Sequence, residues 1–220
     1  MSKAHYLENV HSYNCLPGTR EIFLHGYIGE TEGEDPGVEY RMVNNFLKNM
    51  RFLEAQGQKP IIIHQHNIGG FWESGMIMYD VIKTSSCYVI MVLHGEAMSM
   101  GSIIPQAADL RVAMPNCTFM IHDGSTDIND GYTMKQAQSR VDMEKRTTAV
   151  MMDMYVEKCI HGSYFTEREC SEATVRKFLR KKMDLKEDWY LYGEEIVTYG
   201  FADTMLGQDY KTLEEVRKIQ

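Results

Sequence analysis

The sequence has no apolar run long enough to cross a membrane and too little positive charge for a nucleic-acid surface. Its longest apolar stretch, 87–93, has the length of a strand, whereas a spanning helix needs about 20 apolar residues. Its 23 Lys and Arg stand against 31 Asp and Glu, which gives a formal net charge of -8, and phosphate binding needs an excess of cations. We therefore expect a protein that binds neither membrane nor nucleic acid. One basic patch is interpreted as a solvated helix face; it comprises Lys177, Arg180, Lys181 and Lys182.

The sequence also lacks the cysteine and histidine patterns of disulfide and metal sites. Its five cysteines are odd in number and form no Cys-x-x-Cys pair, so we expect free thiols in a reducing compartment. The first residues contain no apolar signal core, and we expect a cytoplasmic protein. His64 and His66 share a face of a predicted strand, but no carboxylate or thiolate accompanies them at ligand spacing. We therefore expect no metal and no cofactor.

Short apolar strands alternate with helical patterns along the chain, which is typical of βα units around one sheet. The predicted strands span 21–26, 60–66, 87–95, 111–114, 117–122 and 188–191. The predicted helices span 40–54, 71–83, 99–109, 133–159, 169–182, 194–200 and 212–219. Thr133 with Gln136 predicts a capping box at one helix, and Thr166 with Glu169 predicts another at the next. The fold class indicated is α/β, in one domain with a long projecting helix.

Ser99 lies at the junction of a buried strand and a helix, in the segment GEAMSMG. A serine presented there stands beside helical N–H groups that favour negative charge, a placement like that of the nucleophile elbow, although the sequence is not G-x-S-x-G. The same position is also that of a helix N-cap, a role that serine often fills. The segment by itself allows both interpretations.

His122 ends the strand CTFMIH and precedes a turn at Asp123-Gly124. A serine hydroxyl needs a base to act as a nucleophile at neutral pH, and the ordinary pKa of histidine suits that role. A histidine held by a backbone partner would give the same pattern.

Gly69-Gly70 follows a strand and precedes a helix. Paired glycines let the backbone approach a ligand closely, and an N–H group there could stabilise an oxyanion. A tight strand-to-helix turn would need the same glycines.

Taken together, these segments resemble the Clp-type protease proteolytic subunit family. GEAMSMG resembles the family's G-x-A-A-S-M-G segment, and RVAMPNCTFMIH resembles R-x-x-x-P-N-S-x-x-M-I-H. EIFLHG, NIGGFWESGMIMYD and DWYLYGEEIVTYGFAD resemble the family's opening strand, its glycine-rich segment and its aspartate segment. The segments follow in the family's order over about two thirds of the chain.

The resemblance implies the site residues of a serine endopeptidase. Ser99 is the implied nucleophile, His122 the base and Asp188 the residue that orients the imidazole. The backbone N–H groups of Gly70 and Met100 are the implied oxyanion hole. Asp184 and Asp203 are the alternatives to Asp188, because the stretch that follows His122 is longer than in the family, with extra residues expected around 162–182.

The resemblance also implies the fold and the assembly. It predicts a crotonase-like, Clp-type stack of βα units, with an N-terminal segment over 1–20 at the place of the family's axial loop. It predicts one peptidase domain over 21–220, with a handle at about 125–160. It implies a homo-oligomer, in a heptameric ring or double ring, that encloses polypeptide substrate and is fed by an ATP-dependent unfoldase.

The chain departs from the family pattern at a few positions. Asn67-Ile68 replaces Ser-Pro before the glycine pair, Asp123-Gly124 replaces Gln-Pro after His122, and Glu187 stands where the family often has arginine. Three alternatives stay open: a Clp-like virus maturation protease that works without an unfoldase, a crotonase-fold enzyme acting on acyl-CoA, and a non-catalytic ring subunit.

Overall fold

The computed structural model describes residues 10–28, 40–125 and 131–219. The described residues form an eight-stranded sheet with helices packed on it, so the predicted α/β class is confirmed. Within these ranges, no helix has both the length and the apolar character that a bilayer span requires. All five cysteines lie in the described ranges, and all are free thiols.

The strands and helices follow one another in the alternating order that the sequence predicts. The strands are β1 Cys15–Leu16, β2 Glu21–Ile28, β3 Ile61–Gly70, β4 Val89–Met98, β5 Leu110–Ala113, β6 Thr118–Ile121, β7 Trp189–Tyr192 and β8 Thr204–Met205. The helices are α1 Tyr40–Ala55, α2 Trp72–Lys83, α3 Met100–Ile103, α4 Met134–Cys159, α5 Ser163–Thr166, α6 Glu172–Lys186, α7 Glu194–Thr198 and α8 Leu213–Arg217.

The sheet has the order β1-β2-β3-β4-β5-β8, and its pairs from β2 to β8 are parallel. Strand β4 is long enough to pair twice. Its first half pairs with β5 and its last residues pair in parallel with β6, which continues into an antiparallel pair with β7. The carboxyl end of β4 therefore lies beside β6, with β7 one strand further on.

The central strands are buried on both faces, as expected for parallel strands covered on two sides. Ile61 and Ile63 of β3 belong to the main hydrophobic core, which includes residues of α1 and α2. The intervening Ile62 belongs to a smaller cluster on the other face, where α8 contributes the fully buried Val216. The amino-terminal halves of β3 and β4 are therefore buried, and the side chains of these two strands that reach solvent lie toward their carboxyl ends.

The predicted helix over 99–109 is shorter and less regular than expected. It begins as α3 and continues as a 3₁₀ turn over Ile104–Ala107. Pro105 is the cause, because it has no N–H to donate to the carbonyl four residues earlier. That carbonyl belongs to Gly101, and it accepts a hydrogen bond from the side chain of Gln65 at 2.6 Å instead.

One predicted helix start is confirmed and the other is wrong. Thr133 and Gln136 form the capping box of α4. Thr166 instead ends α5, and Glu169 has φ +47°, which no helix can continue through. Helix α6 begins after Ser171, whose hydroxyl accepts from the N–H of Thr174 at 3.3 Å.

Helix α4 packs against the core only through its C-terminal half. Its buried residues begin at Met151 and continue to Cys159, and the half before them is partly or fully exposed. The predicted handle over 125–160 includes this exposed half, and residues 126–130 lie outside the described ranges. Of the predicted N-terminal segment, 1–9 lie outside those ranges, while Cys15–Leu16 pair with β2. Both the handle and the boundary at residue 20 stay predictions.

Candidate active site

Ser99 stands on a sharp turn between β4 and α3. Its backbone has φ +52° and ψ -124°, a conformation that costs a non-glycine residue free energy and is often found at functional sites. Its side chain makes no cap hydrogen bond, which argues against the N-cap interpretation. The hydroxyl oxygen is instead 2.8 Å from Nε2 of His122. A neutral imidazole with its proton on Nδ1 would accept the hydroxyl proton in this geometry.

The register of the strands brings these side chains together. In the parallel pair of β4 and β6, Met98 lies opposite Met120, and the N–H of Ser99 donates to the carbonyl of Met120 at 3.0 Å. Ser99 is therefore fixed beside the strand that ends one residue before His122. Two residues that lie 23 positions apart in the chain are aligned here by backbone pairing.

Asp188 is brought to the other side of the imidazole by the next strand pair. In the antiparallel pair of β6 and β7, Ile121 lies opposite Trp189. His122, which follows Ile121, therefore faces Asp188, which precedes Trp189. Oδ1 of Asp188 is 3.2 Å from Nδ1 of His122. The side chains of His122 and Asp188 are 24% and 46% exposed, so the group is open to solvent and to a substrate.

The two alternative aspartates are engaged elsewhere. Asp184 accepts from Nε of Arg180 at 2.9 Å. Asp203 accepts from the buried Arg111, at 3.1 Å from its Nε and 2.7 Å from its backbone N–H. Of the three candidates, Asp188 is the one that the structure brings to His122.

The glycine pair borders Ser99 so closely that a side chain would not fit. A Cβ placed on Gly69 would lie 2.5 Å from Cβ of Ser99, and Gly69 has φ +108°. The N–H of Gly69 donates to Oδ1 of Asn67 at 2.7 Å, and Gly70 follows with φ +146°. Met100 is the first residue of α3, and the N–H groups of a first helical turn have no partner within the helix. Of the residues predicted as oxyanion donors, Met100 directly follows Ser99 in the chain, and Gly70 follows the glycine that packs against Ser99.

Arg180 belongs to this site although the sequence placed it in a solvated patch. Its guanidinium contacts Asp123 with two nitrogens, one of them at 2.7 Å, and Asp123 directly follows His122. Arg180 lies on α6, the helix that leads into Asp188. It therefore ties the loop after His122 to the helix before Asp188. The i,i+4 spacing of Arg180 and Asp184 is visible in the sequence, but the partner 57 residues away is not.

For the peptidase activity that the resemblance implies, Arg180→Gln is expected to lower kcat/KM by about threefold to tenfold, a modest loss because the pair is partly solvated. The matched control is Arg176→Gln, since Arg176 lies one turn earlier on α6 and pairs with Asp153 on α4. An equal loss in both variants would contradict a role for Arg180 in holding His122.

His64 and His66 do not form a shared site, although both lie on β3. His64 is 2.8 Å from Glu21 and 3.0 Å from His94, while Nε2 of His66 is 3.3 Å from Glu96. In the part of the chain that the structure describes, no three His, Cys, Asp or Glu are arranged to hold a metal.

The buried carboxylate of Glu21 on β2 binds α8 to the sheet through Arg217. Burial acts to raise the pKa of its carboxyl, but hydrogen bonds from His64 and Arg217 outweigh burial and hold the pKa at about 2. Arg217 of α8 donates from Nε at 2.9 Å and from Nη2 at 3.1 Å. These groups line a cavity of about 450 Å³ between β2, β3 and α8. We interpret Glu21 and Arg217 as a structural ion pair.

Known proteins are similar to this chain in sequence and in fold. A family model described as Clp protease matches residues 8–209. The chain is 28% identical over 174 residues to an ATP-dependent Clp protease proteolytic subunit of Deinococcus radiodurans, covering 78% of this chain and 77% of the relative. It is 26% identical over 172 residues to proteolytic subunit 2 of Pseudomonas aeruginosa, covering 77% of each.

A solved structure, a mutant of ClpP1 from Listeria monocytogenes, superposes with a TM-score of 0.68 at 20% identity. The superposition covers 86% of this chain and 92% of that one. It confirms the predicted Clp-type fold, at a sequence distance that marks the chain as divergent.

Proposed function

The chain belongs to the Clp protease family and is a serine-type peptidase, and we propose that it is an endopeptidase that hydrolyses polypeptides with Ser99, His122 and Asp188. The observation that carries this proposal is the 2.8 Å contact between the hydroxyl of Ser99 and Nε2 of His122. The 3.2 Å approach of Asp188 to Nδ1 supports it from the other side of the ring.

In the proposed mechanism, Oγ of Ser99 attacks the carbonyl carbon of the scissile peptide while His122 takes its proton. The tetrahedral intermediate collapses when the imidazolium returns that proton to the leaving amine, and the C–N bond breaks. A water molecule then attacks the acyl-enzyme, again with His122 as base, and releases the carboxyl product and the free serine. Asp188 holds Nδ1 protonated in the resting state and stabilises the imidazolium.

We assign the oxyanion hole to the N–H groups of Gly70 and Met100. Negative charge develops on the carbonyl oxygen only as the tetrahedral intermediate forms, so fixed donors there favour the transition state over bound substrate. A single donor of this kind contributes about 3–4 kcal/mol in other hydrolases. The close approach of Gly69 to Ser99 supports the assignment, because it sets the glycine turn beside the attacking oxygen.

We further propose a homo-oligomeric chamber, built as a heptameric ring or double ring and fed by an ATP-dependent unfoldase. Support comes from the relatives, which are named as subunits of ATP-dependent proteases, and from the exposed N-terminal half of α4, which would serve as the handle between rings. A native mass measurement separates a closed ring of 25.4 kDa subunits from a smaller hydrolase.

The test of the proposed chemistry is labelling with a fluorophosphonate, which reacts with activated serines. We expect one adduct per chain, mapped to Ser99 by peptide mass analysis, and loss of peptidase activity in step with labelling. An adduct on another serine, or full activity after complete labelling of Ser99, would contradict the proposal.

A further inference from the structure

A second serine, three residues after Ser99, carries a hydroxyl that is entirely buried. Ser102 lies in α3, and its Oγ is 2.6 Å from the carbonyl oxygen of Ser99 and 2.6 Å from the phenolic oxygen of Tyr155. The backbone N–H of Ser102 donates to the same carbonyl at 2.8 Å. The Ser99 carbonyl therefore accepts two hydrogen bonds from one residue.

The number of protons fixes the direction of this chain of hydrogen bonds. A carbonyl oxygen only accepts, so the single hydroxyl proton of Ser102 points to Ser99. The phenol of Tyr155 must then donate to Oγ of Ser102. Tyr155 is fully buried, and burial raises the pKa of its phenol, so the donor proton is retained at all ordinary pH values.

The peptide bond between Ser99 and Met100 carries the effect of this chain to the site. A trans peptide is planar, and its C=O and N–H point in opposite directions. Two hydrogen bonds that hold the carbonyl of Ser99 on one side therefore fix the direction of the N–H of Met100 on the other. That N–H is the oxyanion donor assigned above, and the turn that carries it has the costly backbone angles of Ser99.

Hydrogen bonds from residues later in the chain also hold the backbone of this turn. The carbonyl of Ser102 accepts from Nε2 of Gln106 at 2.8 Å, and Oε1 of Gln106 accepts from the buried Arg111 at 2.6 Å. These bonds hold the backbone of Ser102 in place, so the position of its hydroxyl depends on the side-chain rotamer alone. The hydrogen bond from Tyr155 favours the rotamer in which this hydroxyl donates to the carbonyl of Ser99.

We propose that Ser102, held by Tyr155, is a positioning residue that aims the N–H of Met100 at the developing oxyanion. The inference rests on the proposed function, since it presumes that Ser99 is the nucleophile. This role for Ser102 links Tyr155, in the C-terminal half of α4, to the proposed oxyanion hole through hydrogen bonds. The expected signature is a loss in transition-state binding without a matching loss in substrate binding.

The test uses Ser102→Ala and Tyr155→Phe in the full chain, with kcat and KM measured for a fluorogenic peptide. We expect kcat to fall about tenfold in Ser102→Ala and somewhat less in Tyr155→Phe, with KM within about twofold, since removing a donor itself costs about 10²–10³. The affinity of a peptide boronate, whose tetrahedral adduct places an oxygen in the oxyanion hole, should weaken by the same factor as kcat.

The double variant and a matched control make the result specific. Tyr155 acts through Ser102, so adding Tyr155→Phe to Ser102→Ala should lower kcat no further. Tyr79→Phe is the control, because it removes another buried phenolic hydroxyl, on α2, and should leave kcat unchanged. Should Ser102→Ala fail to fold, Tyr155→Phe supplies the same comparison with its shape nearly unaltered.

The outcomes separate this inference from the proposed function. Absence of Ser99 labelling by a fluorophosphonate in the parent protein would remove both. With labelling intact, unchanged kcat and boronate affinity in Ser102→Ala would overturn the positioning role alone. A fall in kcat with a comparable rise in KM and a lower thermal stability would overturn it too, since these changes together would indicate general loosening of the core.

Discussion

Ser99→Ala is expected to reduce peptide hydrolysis on the order of 10⁶-fold and to abolish fluorophosphonate labelling. The substitution removes the atom that forms the acyl bond in the proposed mechanism, and no other described hydroxyl contacts His122. Residual turnover would come from a water molecule activated by His122 next to the proposed oxyanion donors. The measurement is kcat/KM for a fluorogenic peptide, with labelling read by intact mass.

The fold should survive this change. Alanine has the same Cβ as serine and therefore meets the same backbone cost at φ +52°, and the hydrogen bonds of the turn come from the backbone of Ser99. A matched control is Ser85→Ala, which removes a hydroxyl bonded to Glu54 before the start of β4, at the opposite end of that strand. Ser85→Ala should keep the activity of the parent protein, and the proposal fails if Ser99→Ala keeps a comparable activity.

The parts of the site that could be predicted are those written in short segments. The glycine pair, the turn at Ser99 and the strand end at His122 each combine a local backbone requirement with a motif of the family, so the sequence identifies them one by one. The pairing of Asp188 with His122 was predicted less directly. It depends on the register of β6 and β7, which are separated by the long helix α4 and by α6.

The parts that could not be predicted depend on contacts between distant residues. Arg180 looks like one member of a basic stripe until Asp123 is placed against it, and Gln65 gives no sign that it binds the carbonyl of Gly101. Ser102 resembles an ordinary small helical residue until the buried phenol of Tyr155, 53 residues later, is brought to it. Propensities and spacing carry no information about such partners, because the partners are set by packing.

Asp188→Asn is expected to lower kcat about 10²–10⁴-fold, the upper value being that of a buried triad aspartate. The asparagine amide can present an N–H to Nδ1 of His122, which favours the tautomer with its proton on Nε2. That tautomer cannot accept the proton of Ser99. We expect a loss below the upper value, because Asp188 is 46% exposed and water can partly replace it.

The control for this substitution is Asp184→Asn, four residues earlier, where the carboxylate pairs with Arg180. It removes the same charge close to the site but leaves the side chain next to Nδ1 intact, so kcat should fall by less than about tenfold, as for a solvated ion pair. Both variants should be followed by single-turnover labelling of Ser99, since its phosphonylation, in which Oγ attacks phosphorus and fluoride leaves, needs the same proton transfer to His122 and should slow in parallel. Normal turnover in Asp188→Asn with a large loss in Asp184→Asn would move the orienting role to Asp184, and the register of β6 and β7 would then have to change in the active protein.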